Sequence, residues 1–195
     1  MPEEKNSLLA YLLDNKPEKI FCKELDQKRR VNTYLYEKLI FDTVNMGQYL
    51  KNSEDIGEHI PMVLDTSYEF LSVFFGILAA KKVCVPIHTI SNQESIGFIL
   101  EKIRAKSLIV TKKRLYRKIA NIPYVQEHIH TIFTTQDLID NKLLPCKHVD
   151  LNKICKQKID LGQARKYIQS VVKKTSSDDT MQIVFTSGTT GKPKG

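Results

Sequence analysis

The fold is decided by residues 60–87, which read IPMVLDTSYEFLSVFFGILAAKKVCVPI. A short apolar run at 60–64 is typical of a buried strand, and the Asp-Thr-Ser that follows can turn the chain and cap a helix. Residues 68–80 then carry apolar side chains at helical spacing, over an arc wide enough for a mostly buried helix. A second apolar run at 83–87 has its proline near the end of a strand, where a missing N–H is tolerated. This stretch therefore predicts one strand–helix–strand unit.

The same alternation continues in both directions along the chain. Further strands are predicted at 19–25, 107–111 and 130–133, and further helices at 8–13, 34–51, 93–105, 112–120 and 135–140. Thr33 is predicted to be the N-cap of the helix at 34–51. Strands that alternate with helices indicate βαβ units joined into a largely parallel sheet. The predicted fold class is α/β.

The pattern becomes less regular after residue 140. Lys, Gln, Asp and Ser dilute the apolar residues there, although a helix at 161–172 is predicted. We interpret 141–180 as a connector that leads to a last strand at 181–185. The predicted organisation is an N-terminal α/β subdomain at 1–140, the connector with its helix at 141–180, and a strand with the loop that follows it at 181–195.

Composition excludes several classes of protein. The chain has 195 residues, of which 42% are hydrophobic and 27% charged, and these values exclude collagen-like, coiled-coil and disordered chains. No apolar run approaches the roughly 20 residues that cross a bilayer, so no transmembrane segment is predicted. The four cysteines lie far apart with no C-x-x-C pair, and the first residues lack the basic region of a secretory signal. The sequence therefore predicts a cytoplasmic protein.

The positive charge is concentrated in one stretch. The net charge is +8, and eight basic residues but no acidic residue lie at 102–118. Such a block can attract nucleic acid, an anionic membrane or an acidic partner, but a solvated helix surface is the favoured interpretation. Tyr116 is the only aromatic residue in the block, so no nucleic acid is expected as a partner. A nucleic-acid or membrane-surface binder that acts through this block remains an alternative.

The histidines do not have the spacing of a metal site. His128 and His130 are predicted to lie on one face of a strand, but no cysteine or carboxylate pair close by in the sequence would complete a set of ligands. No metal-binding residue is therefore predicted.

The end of the chain is a loop suited to a polyphosphate. Residues 183–195 read IVFTSGTTGKPKG, in which an apolar strand leads into three glycines, four hydroxyl residues and two lysines. Glycine lets backbone N–H groups turn toward a ligand, hydroxyls donate to phosphate oxygens, and lysines offset phosphate charge. The spacing does not match a P-loop, a Rossmann fingerprint or a nucleophile elbow.

The string TSGTTGKPKG at 186–195 resembles, without a mismatch, the phosphate-binding motif of the adenylate-forming superfamily, which includes acyl-CoA synthetases. Two stretches upstream are similar to the same family. Residues 31–39, VNTYLYEKL, look like its early helix start, and 68–87 look like its F-x-G-x-L-x-A-G-x-x-x-V-P element. One departure is Lys81, where the family has glycine. The resemblance implies the N-terminal part of the large domain of an acyl-adenylate-forming enzyme.

The resemblance also implies a reaction, its cofactors and the residues that take part. A small-molecule carboxylate would attack the α-phosphate of ATP with Mg²⁺, and the acyl group would pass to CoA or to the phosphopantetheine of an acyl carrier protein. Lys194 would be catalytic, because its charge would offset that of the departing pyrophosphate. The residues that would hold the β- and γ-phosphates are Thr186, Ser187, Gly188, Thr189, Thr190, Gly191, Lys192 and Lys194.

Members of this family are far longer, and their adenine, acyl and magnesium contacts lie downstream of the motif. The 195-residue chain is therefore expected to be inactive on its own, as the N-terminal fragment of an ATP-dependent acyl-activating ligase. The alternative is a truncated, non-catalytic paralogue that acts as a binding module. The identity of the carboxylate is not determined by these residues.

Overall fold

The computed structural model describes residues 7–26, 28–140, 142–186 and 193–195. The helices are α1 (Ala10–Asp14), α2 (Tyr36–Asn52), α3 (Tyr68–Ala79), α4 (Gln93–Lys102), α5 (Lys113–Ala120), α6 (Pro123–His128), α7 (Gln136–Asp140), α8 (Leu151–Cys155) and α9 (Leu161–Val172). The strands are β1 (Ile20–Leu25), β2 (Val31–Leu35), β3 (His59–Val63), β4 (Val83–Pro86), β5 (Ser107–Val110), β6 (Thr131–Thr134) and β7 (Lys147–Asp150). Every element predicted between residues 60 and 140 is present, with its ends shifted by at most three residues.

The chain divides into two compact units, each of which is discontinuous in sequence. The first unit comprises residues 1–52, 66–81 and 154–179, and the second unit comprises 53–65, 82–153 and 180–195. The domain organisation predicted from the sequence stays a prediction. Among the described residues, no helix combines the length and the apolar character needed to cross a membrane.

The second unit contains a five-stranded sheet in the order β4-β3-β5-β6-β7, and every neighbouring pair is parallel. The helices α4, α5 and α6 pack against one another. They supply a core together with the strands, in which Ile96, Leu108, Ile119 and Ile132 have no exposed surface. The predicted α/β class with a parallel sheet is confirmed.

The sequence pattern missed part of this unit. The stretch after residue 140, predicted as an irregular connector, contains the fifth strand, β7, and the short helix α8. In β7 only the last two residues, Val149 and Asp150, are buried, so the strand has no apolar run to indicate it. The helix α6 was not predicted either; Pro123 occupies its first turn, where proline is tolerated.

The predicted role of Thr33 is wrong. Thr33 lies inside β2, which pairs antiparallel with β1 in the first unit, and Cys22 faces Tyr34 across the pair. The helix α2 begins only at Tyr36. The residues from Val31 to Leu35 include β-branched and aromatic side chains that favour a strand, and pairing with β1 outweighs the capping signal of threonine.

In the first unit, α2 and α3 pack closely at two glycines. A Cβ atom added at Gly47 would lie 2.7 Å from the Cβ of Ala79, and one added at Gly76 would lie 2.5 Å from the Cβ of Met46. Ser67 caps α3, because its hydroxyl oxygen accepts a hydrogen bond from the N–H of Phe70 at 3.1 Å. The capping residue predicted before this helix is therefore confirmed.

A buried carboxylate orders the start of α3. Asp42 is 3% exposed and accepts a hydrogen bond of 2.7 Å from the hydroxyl of Tyr68. The ammonium group of Lys38 lies 2.8 Å and 3.0 Å from the two carboxylate oxygens. The ring of Tyr34 stacks on that of Tyr68 at 3.8 Å. Burial, with the negative charge of Asp42 as a second cause, raises the pKa of Tyr68.

The residue that departs from the family pattern has the backbone conformation of a glycine. Lys81 follows α3 with φ at +55°, the left-handed conformation that glycine usually supplies after a helix. Its side chain donates a hydrogen bond of 2.6 Å to the carbonyl of Lys174 and lies 3.0 Å from a carboxylate oxygen of Asp179. These contacts offset part of the backbone strain that a non-glycine residue has there.

Candidate functional site

The segment before the predicted phosphate loop runs beside β4, at the edge of the parallel sheet. The N–H of Cys84 donates to the carbonyl of Met181 at 3.1 Å, and the N–H of Ile183 donates to the carbonyl of Cys84 at 3.0 Å. The pairing is parallel but forms a single isolated bridge, so the strand predicted at 181–185 is wrong in its extent. The segment still brings the loop to the carboxyl edge of the sheet, where ligands bind in open α/β sheets.

The side chains of this segment alternate as those of a strand do. Ile183 and Phe185 pack against the core of the second unit, whereas Val184 between them is 53% exposed. This period of two anchors the segment to the sheet on one face only. The loop that follows therefore starts from a packed position.

The two ends of the loop are joined by a backbone pair. The N–H of Thr186 donates to the carbonyl of Lys194 at 2.7 Å, and the N–H of Lys194 donates to the carbonyl of Thr186 at 2.9 Å. The hydroxyl of Thr186 lies 3.3 Å from the same carbonyl of Lys194, to which it donates as well. We call this arrangement the clasp. It fixes Thr186 and Lys194, which stand on either side of residues 187–193 in the sequence, against each other.

A glycine after the clasp allows a close approach to an aromatic ring. A Cβ atom added at Gly195 would lie 2.9 Å from two ring carbons of Phe185. Contacts under 3.0 Å require something to shift, and this ring is also packed against the core. Glycine at this position therefore lets the clasp lie over Phe185.

The structure describes two of the eight predicted site residues, Thr186 and Lys194, and brings them together in the clasp. The other predicted residues lie outside the described part of the chain: Ser187, Gly188, Thr189, Thr190, Gly191 and Lys192. Their roles, and the catalytic role of Lys194, stay predictions. Sequence reasoning missed the clasp, because nothing in the motif itself shows which backbone groups pair.

Cys84 supports the site through its backbone and not through its thiol. Its side chain has no exposed surface, and its sulfur lies 3.7 Å from the sulfur of Met62. Burial raises the pKa of Cys84 to about 12, so the thiol stays protonated at neutral pH. A thiol in this state is a poor nucleophile.

The two histidines predicted on one strand face are not on a strand. His128 ends α6, where its ring packs edge-on against Tyr124 at 4.6 Å, and His130 precedes β6 and pairs with Asp55. The prediction of a shared strand face is therefore wrong, since His128 belongs to a helix and neither histidine lies in a strand. Within the described ranges, no group of three or more His, Cys, Asp or Glu residues is placed to hold a metal ion.

Comparison with known proteins identifies the family. A family model described as "AMP-binding enzyme" matches residues 13–195. The chain belongs to the AMP-binding enzyme family. The resemblance predicted from the terminal motif and the assignment to the N-terminal part of the fold are confirmed for this AMP-binding chain.

The relatives of this AMP-binding chain are considerably longer than it is. The crotonobetaine/carnitine–CoA ligase of Citrobacter koseri is 26% identical over 187 residues, which cover 96% of this chain and 34% of the relative. The corresponding ligase of Proteus mirabilis is 28% identical over 194 residues, with the same coverage. The chain therefore spans about a third of the length of these curated relatives.

Two solved structures show the same fold. The adenylation domain of a carboxylate reductase from Mycobacterium chelonae superposes with a TM-score of 0.66 at 16% identity, covering 100% of this chain and 34% of that one. A fatty acyl-adenylate ligase from L. pneumophila, solved with acyl adenylate and pyrophosphate, superposes with a TM-score of 0.61 at 19% identity. The aligned region covers 98% of this chain and 30% of the ligase. At these identities the likeness establishes the fold alone.

Proposed function

We propose that this chain provides the phosphate-holding part of an ATP-dependent acyl-CoA ligase, which joins a small carboxylic acid to CoA through an acyl-adenylate. The observation that carries the proposal is the clasp between Thr186 and Lys194, at the carboxyl edge of a parallel sheet in a member of the AMP-binding enzyme family. CoA is the acceptor proposed here because the curated relatives are named as CoA ligases. A carrier-protein phosphopantetheine is the second candidate, because a similar structure is the adenylation and carrier didomain of a carboxylic acid reductase.

The clasp gives the loop a physical role in the first step. A carboxylate oxygen attacks the α-phosphorus, the bond between the α-phosphorus and its bridging oxygen breaks, and pyrophosphate leaves with that oxygen. The clasp fixes Thr186 and Lys194 against each other, and in this proposal the N–H groups and hydroxyls of the residues between them meet the phosphates. The ammonium group of Lys194 would offset the charge that builds up on the departing pyrophosphate.

In this proposal ATP binds together with Mg²⁺. No cluster of side chains in the described ranges fits a divalent cation. Oxygen atoms of the substrate phosphates are the usual ligands of Mg²⁺ in such sites. The chain's own contribution is therefore to orient the phosphates.

The test is ATP–pyrophosphate exchange and CoA thioester formation by the intact parent protein with a panel of carboxylic acids. Replacing Thr189, Thr190 and Lys194 together by alanine should reduce exchange by at least about 100-fold, the typical loss when charge-stabilising groups are removed. The matched control replaces Lys156 and Lys158, two exposed lysines of the first unit, by alanine and should keep full exchange. A parent protein indifferent to ATP, or a triple variant with full turnover, would refute the proposal.

The 195-residue chain by itself is a separate experiment. We expect no exchange from it, because the adenine and acyl contacts are proposed to lie in the part of the relatives that it does not span. Detectable ATP–pyrophosphate exchange by the 195-residue chain would contradict that expectation. A cytoplasmic location is proposed as well, on the ground that Cys22, Cys84, Cys146 and Cys155 are free thiols in the structure.

A further inference from the structure

The helix α5 presents one continuous basic face. Leu115, Tyr116, Ile119 and Ala120 are buried in the core of the second unit. The remaining helical positions, Lys113, Arg114, Arg117 and Lys118, are exposed or half-buried. At about 100° per residue, these four positions span an arc of about 140° on the side of the helix away from the core. The amphipathic pattern therefore places the charges together on the surface.

These charges are not neutralised nearby. The chain has no acidic residue between Lys102 and Gln126. In the part of the chain that the structure describes, no ion pair involves Lys113, Arg114 or Arg117. A further exposed lysine, Lys112, directly precedes the helix. The face therefore carries an uncompensated positive charge.

An exposed isoleucine lies at one side of the basic face. Ile90 is 87% exposed, in the loop that follows β4. The ammonium group of Lys118 donates to the carbonyl of Ser91, and the side-chain amide of Gln93 donates to the carbonyl of Lys118 at 2.7 Å. The same ammonium group also lies 3.5 Å from the carbonyl oxygen of Thr89, so these bonds hold the loop against α5 on both sides of Ile90. The isoleucine is therefore a fixed feature of this surface.

An exposed leucine lies at the other side. Leu143 is 54% exposed, and its N–H donates to the hydroxyl of Tyr116 at 2.8 Å. The same hydroxyl lies 2.7 Å from Nε2 of His148, to which it donates. Tyr116 and Lys118 point in directions about 200° apart around the helix. Ile90 and Leu143 are therefore held against α5 through bonds to residues on different sides of the helix.

We propose that this surface, formed by α5 with Ile90 and Leu143, docks on an anionic lipid bilayer. Each basic side chain near an anionic surface strengthens binding by roughly five-fold, and short aliphatic side chains beside the charges can enter the boundary between headgroups and acyl chains. A bilayer accepts both protruding aliphatic side chains without a shaped pocket for either. Nucleic acid is disfavoured, because Tyr116 is 1% exposed and offers no ring for a base to stack on. The proposal does not depend on the activity proposed above.

The test is cosedimentation of the purified protein with vesicles. Vesicles made of seven parts of phosphatidylcholine and three parts of phosphatidylglycerol should bind the protein. Vesicles of phosphatidylcholine alone should not. Binding should fall steeply as salt rises from about 50 mM to about 500 mM, because the Debye length shortens. Equal binding to both kinds of vesicle, binding to neither, or binding that ignores salt would overturn the proposal.

Three variants separate the sources of binding. Changing Lys113, Arg114 and Arg117 to glutamate should weaken binding to the anionic vesicles by at least about 100-fold, because each of the three basic side chains contributes a factor of roughly five. The matched control changes three exposed lysines of the first unit, Lys156, Lys158 and Lys166, to glutamate. It should weaken vesicle binding by less than three-fold, although the net charge of the protein changes by the same amount as in the α5 variant. The third variant, I90S/L143S, should weaken binding about ten-fold at unchanged charge.

Each variant also has an outcome that counts against the proposal. If the control loses as much binding as the α5 variant, only the net charge matters and the surface has no role. If I90S/L143S binds the vesicles as tightly as the wild type, the aliphatic residues do not enter the bilayer. If single-stranded RNA binds more tightly than the anionic vesicles at the same salt concentration, the surface serves a nucleic acid instead. Circular dichroism of each variant verifies that the fold is kept.

Discussion

Replacing Gly47 by alanine is a direct test of how the first unit packs. The new Cβ would lie 2.7 Å from the Cβ of Ala79 and 3.2 Å from its backbone carbonyl carbon. Carbon atoms in contact are normally about 3.5–4.0 Å apart, so α2 and α3 would have to separate by close to 1 Å. Because one of the obstructing atoms belongs to the backbone, a side-chain rotation cannot relieve the contact.

The expected loss follows from two opposing effects. Overpacking a core costs about 1–3 kcal/mol, and the upper value applies because a whole helix must move. Alanine in place of a helical glycine recovers about 1 kcal/mol. We therefore expect G47A to lower the free energy of unfolding by about 2 kcal/mol. In urea, followed by far-ultraviolet circular dichroism, the midpoint should fall by about 1 M.

A double-mutant cycle shows whether the contact is the cause. The A79G substitution removes the obstructing Cβ, so G47A should cost at least about 1 kcal/mol less in the A79G background. The control is G97A, whose new methyl group meets only the Cγ2 of Ile122, at 3.1 Å, and should change stability by less than about 1 kcal/mol. Unchanged stability of G47A, or strictly additive effects in the cycle, would refute the reasoning.

Three further predictions concern other parts of the chain. Lys81→Gly should be about 1 kcal/mol more stable than Lys81→Ala in urea unfolding, because both variants lose the side-chain contacts of Lys81 but only glycine relieves the strain of the positive φ. Equal stabilities of the two variants would show that no such strain exists. Burial holds the pKa of His148 below its usual 6.5, so its contribution to stability is present above that pH and is lost as the pH falls. His148→Gln should therefore show a smaller drop in urea midpoint between about pH 7 and pH 5 than the wild type, and an identical drop would contradict the assignment. Gly195→Ala in the intact parent should weaken ATP binding by about ten-fold in calorimetry, because the methyl group displaces the clasp from Phe185, whereas Gly162→Ala, at the start of α9, should leave binding unchanged.

The part of the fold that follows local rules could be predicted well. The residues from Ile60 to Ile87 carry their own strand, cap and helix signals, and the structure has all three, including the capping bond from Ser67. Elements without a local signal were missed. The strand β7 has no apolar run, and it is extended in the sheet through its pairing with β6, which no local signal indicates.

The candidate site also has one part that the sequence could predict and one part that it could not. The residues from Thr186 to Gly195 were enough to predict the family, because their order resembles the phosphate-binding motif of that family without a mismatch; their hydroxyls, glycines and lysines indicate only a polyphosphate. The pairing of Thr186 with Lys194 could not be predicted, because a backbone hydrogen bond depends on where two segments meet and not on their side chains. The roles of the six residues between 187 and 192 stay predictions.

By itself, the sequence determined the α/β class and the family, and it predicted a stretch of hydrogen-bond donors and positive charge at residues 186–195. Only the tertiary structure decided that Thr33 belongs to a strand, that Lys81 takes the backbone conformation of a glycine, and that the segments carrying Ile90 and Leu143 are held against the basic helix α5. The physical reason is the distance along the chain over which each kind of interaction acts. Turn, cap and amphipathic signals act over a few neighbouring residues, whereas pairing and packing join residues that are far apart in the chain and can outweigh a local preference.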